Sequence, residues 1–198
     1  AKGLRHILRQ DPDIIMVGEI RDRETAEMAI QSALTGHLVL STLHTNDSAS
    51  AVTRLVDMGI EPFLVSSSLI AVMAQRLVRV LCPSCKEAYE PTEDELALIG
   101  ITPPIPPLIR GGAGGVVFYR KTGCDDCLGT GYLGRKGIYE LFEVDDDIRK
   151  VILHGGDSMT IRAEADKKGL KGMMTDGADK IMRGTTSVEE VLRVTQEE

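Results

Sequence analysis

Between Asp11 and His44 the hydrophobic pattern changes period twice. Ile14-Ile15-Met16-Val17 is an unbroken apolar run that follows the turn formers Asp11-Pro12-Asp13. A run of this kind reads as a strand buried on both faces, as in a parallel sheet covered by helices. Thr25 to Leu34 then sets Ala26, Ala29, Ile30 and Ala33 at helical spacing. Asp22 is placed to cap that helix and Thr35-Gly36 to end it. His37 to Thr42 is a second apolar strand. Strand, helix, strand predicts an α/β fold.

The rest of the chain continues in short elements. Gly3 to Gln10 is a helical stretch with Leu4, Ile7 and Leu8 on one face. Asn46-Asp47-Ser48 precedes a helix over 49–58, whose apolar side is Val52, Leu55 and Val56 and whose end is Gly59. Pro62, suited to a first helical turn, opens a helix expected to run from Phe63 to Leu77. Thr92 to Glu95 is a capping box. Residues 101–115, rich in Pro and Gly, read as a flexible loop. Strands are expected over 116–119 and 137–144, the latter returning to the main sheet or its edge. Helices follow near 145–154, 159–168, 176–183 and 187–195, the last with Ser187 and Glu190 as a second capping box.

Composition narrows the classes. Hydrophobic residues at 42% can build a core, and the absence of Trp favours helices on a sheet over a β-sandwich. The net charge of -7, without a basic stripe, disfavours a nucleic-acid partner. No apolar run approaches the length of a membrane span.

Candidate chemistry sits where the strands end. Glu19 follows the first strand after Gly18, at the carboxyl edge where α/β sheets place ligands. A carboxylate there can orient a water or a metal-bound water beside a phosphate. His44 follows the second strand among Thr42, Thr45 and Asn46. By position alone it reads more readily as a hydrogen-bonded loop residue, and His37 reads as structural. Asp22 is as readily a cap as a catalytic group. Arg5 and Arg9, four residues apart, form a solvated face by spacing, and Arg21 and Arg54 could be surface charges. The cysteines form two Cys-x-x-Cys pairs, Cys82/Cys85 and Cys124/Cys127, 38 residues apart. Two such turns can complete a closed, structural Cys₄ zinc site. Disulfides, a one-iron site and a redox pair are the alternatives. Gly129, Gly131 and Gly134 read as turn glycines, since no strand suited to a nucleotide loop precedes them.

Gly18-Glu19-Ile20-Arg21-Asp22 after an apolar strand, then Thr35 to Asn46, resembles the Walker B and His-box segments of the type II secretion and type IV pilus assembly ATPases. The similarity runs from Leu4 to the C-terminal tail. Arg54 to Lys86 is closer in wording to the type II secretion members, and Gly134 to Leu141 also fits. The resemblance implies a partial RecA-like P-loop ATPase core over 1–80, a tetracysteine zinc subdomain over 81–136, and a returning strand with a C-terminal helical subdomain over 137–198. It implies roles for Glu19 at the catalytic water or metal shell and for His44 as a phosphate sensor. Arg5, Arg9, Arg21 and Arg54 would be nucleotide or interface arginines, and Cys82, Cys85, Cys124 and Cys127 would hold Zn²⁺.

For an intact protein it implies ATP hydrolysis with Mg²⁺ by a cytoplasmic homo-hexamer. That hexamer would act on inner-membrane platform proteins and drive pseudopilus assembly. The chain contains no Gly-x-x-x-x-Gly-Lys-[Ser/Thr], so the Lys and the Mg²⁺-binding hydroxyl of a phosphate loop are missing. The expectation is a C-terminal fragment without hydrolysis of its own. Alternatives are an interaction module for the membrane platform and the pilus assembly member of the same family.

Overall fold

A computed structural model describes residues 10, 12–101 and 116–196. The expected helix over 3–10 and the loop over 101–115 therefore lie almost wholly outside the described residues. The chain divides into two compact units. One takes in the described residues up to Met73 together with Leu141–Leu170; the other takes in Ala74–Glu140 and the described residues from Lys171. These divisions fall inside two long strands and after a helix, whereas the sequence reading placed its boundaries at 80/81 and 136/137.

In the first unit, β1 (Ile14–Val17) and β2 (Leu38–Ser41) pair in parallel, Ile14 with Leu38 through Val17 with Ser41. Between them runs α1 (Arg23–Leu34). The Asp22 carboxylate accepts the Thr25 N–H at 2.8 Å, so the helix starts on its expected cap. Burial of β1 departs from expectation. Ile15 is 2% exposed, but Ile14 and Met16 are 60% and 76% exposed. The reason is that α1 covers one face only, through Met28 against Ile15, Val17 and Val39. An apolar run does not reveal whether one face or both are covered.

Two further helices, α2 (Ser48–Asp57) and α3 (Pro62–Ser68), follow. The expected helix to Leu77 stops at Leu69, whose backbone is already extended. Ser66 and Ser67 donate their hydroxyls to the Phe63 carbonyl and Ser68 to that of Leu64. Such back-bonding competes with the helix. The next residues form β3 (Ala71–Leu81), in which Ala71 to Leu77 alternates between exposed and partly buried positions, the period of a strand.

The returning strand, β6, runs from Tyr132 to Glu143 and pairs with β3, so it does not join β1 and β2. After it come α5 (Asp146–Leu153) and α6 (Ser158–Lys167). Phe142, Val144, Ile148, Ile152 and Ile161 close the core of this unit against Ile20, Ala26, Ile30, Val52, Leu55 and Val65.

The second unit holds β4 (Glu87–Tyr89), α4 (Glu93–Leu98) and β5 (Phe118–Arg120), with β4 and β5 antiparallel. Thr92 and Glu95 form the expected capping box. Helices α7 (Met173–Met182) and α8 (Val188–Gln196) complete it. They approach closely at Gly177, where an added Cβ would lie 2.5 Å from Val191 Cγ1. Phe118 and Ile138 are fully buried at its centre with Val78, Ile181 and Val191. Each such side chain contributes about 2 kcal/mol.

Candidate functional site

The β1–β2 ladder ends at Val17 and Ser41, and the two strands diverge into the segments singled out in the sequence. Thr42 still ties them together. Its hydroxyl donates to the Gly18 carbonyl at 2.7 Å, and its own carbonyl accepts the Ile20 N–H at 2.9 Å. Ile20 is buried in the core. Glu19 projects from the short span between these two anchors.

Glu19 has two partners on one oxygen. Arg21 Nε lies 2.8 Å and His44 Nε2 lies 2.9 Å from Oε2. The Arg21 hydrogen bond first, and the His44 bond next, hold the Glu19 carboxyl below its usual range. The Glu19 carboxyl is an anion at neutral pH, with its charge oriented by groups from both strand exits. The fold thus brings Glu19, Arg21 and His44 into one cluster. Arg54 lies in the last turn of α2, exposed, and Arg5 and Arg9 are outside the described residues. Asp22 is engaged as a cap. His37 Nδ1 sits 3.0 Å from the Ser32 carbonyl, at the end of α1, as a structural residue does.

The four cysteines converge in the second unit. Their sulfurs all lie within 4.8 Å of one another. Three pairs, Cys82/Cys124, Cys85/Cys127 and Cys124/Cys127, are 3.8 Å apart. A tetrahedral ion with sulfur ligands at about 2.3 Å requires neighbouring sulfurs about 3.8 Å apart. None of the four is in a disulfide. Backbone N–H groups point at the sulfurs: Gly123 to Cys85 at 3.3 Å, and both Cys124 and Gly131 to Cys127 at 3.2 Å. Burial pushes the Cys127 thiol up, but the Cys124 and Gly131 amides outweigh it and bring the thiol down to about 6. The second Cys-x-x-Cys loop needs glycine on both sides. At Gly123 (φ 125°) a Cβ would meet the Gly129 carbonyl at 2.7 Å, and at Gly131 (φ 73°) it would meet Lys121 Cβ at 2.6 Å. The turn reading of Gly129 and Gly134 agrees with their positive φ.

Sequence reasoning missed a third polar cluster in this unit. Glu190, 1% exposed in its side chain, accepts from Arg79 Nε at 3.0 Å, Nη2 at 2.6 Å and backbone N at 3.0 Å, and from Arg193 Nη2 at 2.8 Å. The Ser187 box is thus only half made: its hydroxyl accepts from Glu190 N at 3.4 Å, while the Glu190 carboxylate serves Arg79. With the partners 111 positions apart in sequence, no local signal announced the pair.

These features define an α/β protein with an acid–histidine cluster at the strand exits and a separate tetracysteine cluster. The fold is shared with a solved structure: the ATPase DotB of Legionella pneumophila superposes with a TM-score of 0.63, at 23% identity, over 99% of this chain and 42% of that one. The family model described as "Type II/IV secretion system protein" matches residues 1–193, and the chain belongs to that family. Type II secretion system protein E of Pseudomonas aeruginosa is 56% identical over the whole chain, and the type IV pilus assembly ATPase PilB of Thermus thermophilus is 49% identical. The chain spans 38% of the first relative's length and 21% of the second's. No helix among the described residues is long and apolar enough to cross a membrane.

Proposed function

We propose that this chain carries the acid–histidine half of the nucleotide site of a type II secretion ATPase. The observation that carries the reading is Glu19 at the exit of β1, held by Arg21 and by His44 from the exit of β2. ATP with Mg²⁺ supplies the scissile phosphoryl group. Glu19 orients the attacking water or the metal shell, for which a fixed carboxylate is suited. His44 donates to phosphate and leaves Glu19 when it does so. Arg21 and Arg54, with Arg5 and Arg9, serve phosphate or the subunit interface, where a permanently charged planar fork is effective. Without a Gly-x-x-x-x-Gly-Lys-[Ser/Thr] segment the chain does not hydrolyse ATP by itself.

In the intact protein the motor is a homo-hexamer on the cytoplasmic side. It acts on inner-membrane platform proteins to assemble a pseudopilus. Cys82, Cys85, Cys124 and Cys127 hold one structural Zn²⁺, supported by sulfur spacing that fits a tetrahedral ion and by the amides aimed at Cys85 and Cys127. The zinc subdomain over 81–136 separates the ATPase segment over 1–80 from the helical segment over 137–198. The 49% identity with a pilus assembly ATPase favours assembly of a type IV pilus as the second reading.

The test is Glu19→Gln in the full-length ATPase. Turnover is expected to fall more than about 100-fold with ATP binding retained. A variant that keeps more than a tenth of the wild-type rate would refute the assignment.

A further inference from the structure

Glu19 lies beyond the last ladder pair, Val17 with Ser41, where the regular strand register no longer constrains the chain. Gly18 before it carries no side chain and an added Cβ would meet nothing within 4 Å, so local packing does not fix this turn. One residue replaces the lost constraint. The Thr42 hydroxyl holds the Gly18 carbonyl at 2.7 Å, which belongs to the peptide plane before Glu19. The Thr42 carbonyl holds the Ile20 N–H at 2.9 Å, which belongs to the peptide plane after it. With both planes tied to the same residue, φ and ψ of Glu19 are set, and with them the direction in which its side chain leaves the backbone. Thr42 also stands two residues before His44, which meets the Glu19 carboxylate.

We propose that Thr42 is a positioning residue for Glu19, its hydroxyl aiming the carboxylate that the proposed ATPase uses. The hydroxyl is the specific part. The backbone bond to Ile20 is available to any residue at position 42, whereas the bond to Gly18 requires a donor on Cβ. Val has the same shape and lacks the donor; Ser keeps it.

This inference rests on the assignment of Glu19 made above, and the experiment separates the two. In the full-length ATPase, Thr42→Val, Thr42→Ser and Glu19→Gln are compared for kcat, KM for ATP and melting temperature. Thr42→Val is expected to lower kcat by about 10-fold to 100-fold, as misplacement of a reacting group does, with KM for ATP within about twofold. Thr42→Ser is expected to restore kcat to within about threefold, since it retains the donor. If Glu19→Gln abolishes turnover while Thr42→Val keeps kcat within twofold, the positioning role is overturned and the Glu19 assignment stands. If Thr42→Val loses ATP binding together with turnover, or Thr42→Ser is as impaired as Thr42→Val, the residue acts on the fold at large and the proposal fails. Full activity of Glu19→Gln overturns both.

Discussion

Glu190→Gln isolates the buried ion cluster of the second unit. The change keeps the size of the side chain and removes its charge. Burial pushes the Glu190 carboxyl up, yet the hydrogen bonds from Arg79 and Arg193 outweigh it and bring the group down to about 2, from an ordinary 4.5. A displacement of that size corresponds to about 3 kcal/mol at neutral pH. The arginines are about half exposed, at 44% and 45% of their side chains, and return to water once the carboxylate is gone. The loss should therefore stay near 3 kcal/mol and not approach about 5, the upper end for a fully buried pair.

The folded value lies below the unfolded one. The stabilisation is therefore complete above pH 4.5, falls to about half at pH 3 and disappears below about 2. All four tyrosines, Tyr89, Tyr119, Tyr132 and Tyr139, belong to the second unit, and the chain has no Trp. Tyrosine fluorescence during urea unfolding therefore reports this unit alone. Wild type and Glu190→Gln should differ by about 3 kcal/mol at pH 7 and by about half that at pH 3. The melting temperature should drop by about 6–12 °C at neutral pH. A difference below about 1 kcal/mol at pH 7, or one that is equal at pH 7 and pH 3, would refute the reasoning.

Elemental analysis of the purified chain should give one zinc per molecule, with four thiols becoming reactive on chelation; an absence of metal with the cysteines oxidised to disulfides would contradict the Cys₄ assignment. Gly131→Ala should cost about 1–2 kcal/mol and speed metal loss to a chelator, because its φ of 73° and the Lys121 contact both oppose a Cβ; unchanged metal retention would count against the role given to the Gly131 amide. Met16→Lys should alter stability by no more than about 0.5 kcal/mol in urea unfolding, since that side chain is 76% exposed on the uncovered face of β1; a loss above about 2 kcal/mol would show that this face is covered.

The residues that carry local chemistry were legible. A carboxylate just after an apolar strand, and a histidine after the next, can be placed at one sheet edge from order alone, and the structure joins them directly, with Arg21 on the same carboxylate oxygen. The two Cys-x-x-Cys turns were equally legible as a pair, because short turns with fixed ligand spacing behave alike whatever lies between them. Caps were readable for the same reason. Asp22 and the Thr92/Glu95 box act within one helical turn, so sequence neighbours are spatial neighbours.

Elements whose character depends on distant partners were not legible. Phe63 to Leu77 contains enough apolar residues to satisfy a helical stripe, and nothing local shows that Ala71 onward has a partner strand sixty residues later. β6 supplies that partner, and Val72, Val78 and Val80 then fit the period of two. Glu190 is the same case in side-chain form. Read locally, it completes a capping box with Ser187. In the fold it can accept three bonds from Arg79, and a charged partner with a bidentate fork outcompetes a single backbone amide. Thr42 lies between the two cases. The sequence places a hydroxyl at the strand exit, but only the parallel register, which brings Ser41 opposite Val17, shows that the next residue reaches both peptide planes around Glu19.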